Sequence, residues 1–62
     1  MSAMTSRERE VLALLGDGLS NRDLARHLGI SERTAGAHVS NLLMKLGVTS
    51  RTQAAILATR PR

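Results

Sequence analysis

"SNRDLARHLGISERTAGAHVSNLLMKL", residues 20–46, decides how the rest of the chain is read. Ser20 is a good helix N-cap, with Asp23 three residues on as a weaker capping-box partner. Leu24, Ala25 and Leu28 follow at i, i+1 and i+4, which is one helical face. Gly29 suits the left-handed position just past a helix end. Ser31 then caps a longer run. Its apolar residues Ala35, Val39, Leu42, Leu43 and Leu46 fall at offsets 0, 4, 7, 8 and 11, a helical spacing with no strand-like alternation. Gly47 closes it. A short helix, a tight turn and a longer helix make the pattern of a helix-turn-helix.

The flanks add one helix on each side. Thr5 and Glu8 form a Thr-x-x-Glu capping box, followed by Val11, Leu12, Leu14 and Leu15 as an apolar face. Gly16-Asp17-Gly18 is read as the break after it, and Leu19 as a core plug between elements. Ser50 and Gln53 form another capping box. A last helix carries Ala54, Leu57 and Ala58 inward until Pro61 stops it. The expectation is one all-α, four-helix domain over residues 1–62, with helices at about 6–15, 21–28, 32–46 and 51–59. Met1 to Ala3 and Arg60 to Arg62 are expected to be loose ends.

Composition narrows the functions. A chain of 62 residues without cysteine has no disulfide or thiolate metal site to staple it. A domain of this size buries only about 60% of its unfolded surface, so packed aliphatics must supply the stability. Ten leucines and eight alanines suit that. There is no Phe, Tyr or Trp on which single-stranded bases would stack. No long apolar run or signal-like leader is present, which points to the cytoplasm and away from membranes.

Charge placement says more than the net charge of +4. All five acids lie between Glu8 and Glu32, while Arg33 to Arg62 holds five basic residues and no acid. Such a field favours a phosphate-rich partner. In a helix-turn-helix the second helix enters the DNA major groove and reads bases from its N-terminal end. The acid-free half of this chain begins at that end. At about 100° per residue, Arg33, Ala37, Ser40, Asn41 and Met44 lie opposite the apolar stripe, with Gly36 and Lys45 on its flanks. Small residues there allow a backbone to come close to another surface.

The stretches "MTSREREVLALLGDGLSNRDLARHLGIS" and "RTAGAHVSNLLMKLGVTSRTQAAILA" resemble the LuxR-type helix-turn-helix domain of response regulators and quorum-sensing regulators. The resemblance covers nearly the whole chain. It implies a transcription regulator that binds double-stranded DNA through its third helix. By this resemblance Arg33, Gly36, Ala37 and Ser40 are base-facing, and Thr34, His38, Asn41 and Lys45 face the DNA backbone. Ser20 and Asn21 lie at the second helix's start, where free amides suit a phosphate. The resemblance also implies a homodimer through the fourth helix, with Thr52, Ile56 and Thr59 outward, and an N-terminal receiver or sensory domain in the natural protein.

One departure stands out. Many members of that family read Thr-Val-Lys where this chain has Thr34-Ala35-Gly36. Loss of a phosphate contact lowers the salt slope by about 0.9, and loss of a base contact costs about 1–3 kcal/mol of discrimination. Arg33 is then the best remaining base reader. Arg51 is open between a phosphate and an ion pair with Glu8 or Glu10. The rival reading is a protein-interaction module of the same fold with weak or non-specific DNA binding. His27 and His38 fit no zinc spacing, and so short a chain encloses little of a pocket. No metal, cofactor or catalytic residue is therefore expected.

Overall fold

A computed structural model describes residues 4–59, so the expectations for Pro61, Met1 to Ala3 and Arg60 to Arg62 lie outside the described residues. Four helices and no strand are found among them: α1 (Ser6–Gly16), α2 (Asn21–Leu28), α3 (Glu32–Leu46) and α4 (Arg51–Thr59). Each starts at a side-chain cap. Thr5 and Glu8 close the full reciprocal box on α1. Ser20 accepts the Asp23 N–H and Ser31 the Thr34 N–H, at 3.2 and 3.0 Å.

Two of the expected boxes are only half made. The Asp23 side chain makes no return bond to the Ser20 N–H, being one methylene shorter than the Glu that completes such a box. On α4, Ser50 accepts the Gln53 N–H at 3.2 Å, but the Gln53 amide oxygen turns to the N–H and hydroxyl of Thr49.

The ends of α2 and α3 share one device. Gly29 and Gly47 adopt left-handed φ of 70° and 72°. The next N–H in each case, on Ile30 or Val48, reaches back to the Ala25 or Leu43 carbonyl. Ile30 and Val48 then fold their side chains against the core. This is the hydrophobic contact that accompanies such caps.

α1 packs chiefly on α4, and α2 chiefly on α3; α3 also touches α1 and α4. The buried set is Val11, Leu15, Leu24, Ala25, Ala35, Val39, Leu42 and Ala54. Leu12, Leu14, Leu19, Leu28, Leu43 and Leu46 border it, half-buried. Leu19 thus fills the gap between α1 and α2 as its position suggests.

Two expectations are corrected. Gly16 does not break α1 but completes it, with Asp17 as C-cap and the left-handed turn delayed to Gly18. A methyl on Gly16 would stand 2.9 Å from the Ala58 methyl, so the glycine is where α4 crosses closely. Leu57 does not face inward. It is 38% exposed, and the inward face of α4 is Ala54, Ala55 and Ala58. Alanines allow the close crossing, and a leucine there would hold α1 and α4 apart.

Candidate nucleic-acid interface

The N-terminal half of α3 is held by the Ser31 cap and by burial of Ala35 and Val39. That fixes its outer face. Arg33, Ala37, Ser40 and Asn41 are exposed along it, and Gly36 and His38 are half-buried at its edges. Thr34 is exposed, and its hydroxyl oxygen accepts the Ser31 hydroxyl at 2.9 Å. Ser20 is exposed at the start of α2. The sequence-derived base-facing and backbone-facing residues from Arg33 to Asn41 therefore share one stretch of surface.

Two expected members of that surface, Lys45 and Asn21, are engaged elsewhere, and so is Arg51. The Lys45 ammonium lies 2.9 Å from a Glu8 carboxylate oxygen on α1. That same oxygen accepts the Thr5 N–H at 2.8 Å. These bonds hold the Glu8 carboxyl below its ordinary value of 4.5, with the Thr5 N–H contributing most and Lys45 next. Asn21 is half-buried at the α2–α3 seam, and its side-chain oxygen accepts from the Arg51 guanidinium at 2.8 Å. Arg51 also donates to the Leu19 carbonyl at 2.7 Å. It pairs with neither Glu8 nor Glu10; the latter lies 3.8 Å from Arg7 instead. Sequence spacing gives no sign of the Arg51–Asn21 bond, because it joins residues thirty apart across α2 and α3, whose placement only packing sets.

Electrostatically the surface is open. Arg33 makes no ion pair among the described residues. Glu32 precedes it in the first turn, where a carboxylate favours the helix dipole. Beyond Glu32 no acid follows. Gly36 is lined only by Asn21: a methyl there would meet the Asn21 amide nitrogen at 3.4 Å, an ordinary contact.

A second feature lies on α4. Thr52, Ile56 and Thr59 are exposed, as their helical spacing suggests, with Ile56 at 60%. Ile56 and Leu57 border a shallow groove of about 320 Å³ completed by Gly47, Val48 and Gln53. No described helix is long and apolar enough to cross a membrane.

Residues 2–58 match the model of a family described as bacterial regulatory proteins, luxR family. The chain is 54% identical over 92% of its length to the transcriptional regulatory protein LnrK of Bacillus subtilis, covering 26% of that protein. It is 46% identical over 95% of its length to the DNA-binding transcriptional activator DevR/DosR of Mycobacterium tuberculosis, covering 27% of it. With the nitrate/nitrite response regulator protein NarP of Escherichia coli the identity is 49% over 98% of the chain and 28% of the relative. The chain thus spans about a quarter of the length of these curated relatives. The helix-turn-helix geometry and the family match agree: this chain belongs to the luxR family of bacterial regulatory proteins.

Proposed function

We propose that this domain reads double-stranded DNA for a transcription regulator, with the N-terminal half of α3 in the major groove. The observation that carries this is the exposed face from Arg33 to Asn41, whose arginine has no ion pair among the described residues and which has no acid beyond Glu32. Arg33 is the base reader, since a guanidinium matches the guanine edge with two hydrogen bonds. Ala37 and Gly36 let the α3 backbone approach the bases. Thr34, His38, Ser40, Asn41 and Ser20 supply polar contacts to bases and phosphates. Lys45 contributes less than its charge suggests, because Glu8 already neutralises it.

The domain acts as a homodimer, with α4 of each copy meeting through Ile56 between Thr52 and Thr59. The greater length of the relatives, and the response-regulator name of one, support a receiver or sensory domain joined to this reader in the whole protein. The cytoplasm, where bacterial DNA lies, is its place of work.

One feature favours the alternative of a protein-interaction module with weak DNA binding: among the described residues the outer face of α3 has one cation without an ion pair, Arg33, and Gly36 stands where the family resemblance leads one to expect lysine. Selection of bound duplexes from a random library at physiological salt separates the two. The DNA-reading function predicts enrichment of paired half-sites about one helical turn apart. Salt-sensitive binding without any enriched sequence would sink it in favour of the alternative.

A further inference from the structure

Arg51 opens α4, yet its side chain reaches back to the start of α2. One nitrogen of the guanidinium donates to the Asn21 oxygen at 2.8 Å, and the other to the Leu19 carbonyl at 2.7 Å. Both acceptors are neutral, and no carboxylate pairs with Arg51 among the described residues. An arginine offers donors only, so the bond fixes which end of the Asn21 amide is oxygen. The amide nitrogen then faces α3 near Gly36, where an added methyl would stand 3.4 Å from it. The starts of α4 and α2 and the first turns of α3 meet at one amide.

The packing makes this bond consequential. α2 rests chiefly on α3, and α4 chiefly on α1. The Arg51 fork therefore ties the beginning of α2 to the other half of the molecule.

We propose that Arg51 is a positioning residue for the DNA-reading helix: its two-pronged bond to Asn21 and Leu19 fixes the start of α2, the helix against which α3 chiefly packs. The proposal rests on α3 being the DNA-reading element. It assigns Arg51 no contact with DNA.

Arg51→Lys and Arg51→Met test it, with affinity measured for a selected duplex and a random duplex over a range of salt, beside thermal unfolding. Lysine keeps the charge but cannot fill both prongs of the fork. Both variants are expected to lose about tenfold in affinity for the selected duplex, the worth of one base contact. Arg51→Lys keeps its random-duplex affinity and its salt slope. Wild-type behaviour of Arg51→Lys overturns the proposal, because charge alone then suffices. So does a salt slope lower by about 0.9 in Arg51→Met with equal loss on both duplexes, which marks a direct phosphate contact. A lower melting temperature with both affinities unchanged overturns it as well, leaving a purely structural brace. Should Arg51→Met not fold, Asn21→Ala removes one prong and keeps the other, and the same selective loss is expected. Absence of duplex binding by the unaltered protein overturns the DNA-reading function and this proposal together; the three contrary outcomes above overturn this proposal alone.

Discussion

Arg33 and Gly36 lie one turn apart on α3, and under the proposed function they set opposite limits on what the domain can read. Arg33 has charge, reach and no partner among the described residues. Arg33→Ala is expected to weaken binding to a selected duplex by about tenfold and to relax the sequence preference at the base pair it reads. Titrations on selected and single-base-altered duplexes measure both, and equal affinity of Arg33→Ala and the unaltered chain for the selected duplex would place Arg33 away from the bases. Gly36 contributes closeness and no chemistry. Its surroundings accept a side chain, because only the Asn21 amide nitrogen stands near. Gly36→Lys should therefore fold, gain up to about 1 kcal/mol of helix stability and bind duplex more tightly with a steeper salt slope. Equal affinity in glycine and lysine forms would show that this position does not face the groove. Both residues were legible in the sequence from helical spacing and resemblance. The engagement of Asn21 and Lys45 was not, because their partners come from α4 and α1.

At the scale of elements, two contacts decide how α1 is held. Its C-terminal residue Gly16 lies under Ala58 of α4, with no room for a methyl between them. Gly16→Ala should destabilise the fold by about 1–3 kcal/mol despite the better helix propensity of alanine, since overpacking outweighs propensity. Chemical denaturation measures this, and a gain in stability would mean that α4 shifts freely. At its other end, Glu8 caps α1 and holds Lys45 of α3 with the same oxygen. Its carboxyl is held down in the folded state, so it contributes stability above the unfolded value of 4.5. That contribution is lost as pH falls through the lower folded value. Melting temperatures across acid pH should fall less steeply for Glu8→Gln than for the unaltered chain. Parallel curves would rule out this coupling. The capping box itself was readable from Thr5 and Glu8; the second use of Glu8, thirty-seven residues away in sequence, needed the fold.

Across the whole molecule, the proposed homodimer rests on the apolar surface that α4 exposes at Ile56. Ile56→Glu changes a residue that is 60% exposed, so the fold should survive it. The variant is expected to sediment as a monomer and to lose its preference for paired half-sites. Unfolding of the variant, or dimerisation unaffected by it, would move the interface off this helix. Sequence by itself determined the four helices, their N-cap residues, the glycine stops at Gly29 and Gly47, and the outward stripe of α3. Those features follow from local hydrogen bonding and from the helical period of apolar residues, which act within a few positions along the chain. Only the tertiary structure decided that Gly16 is a crossing point, that Leu57 turns outward, and that Arg51 and Lys45 are spent on Asn21 and Glu8. Each of those depends on the distance between helices far apart in sequence. That distance is set by how closely small side chains let them pack.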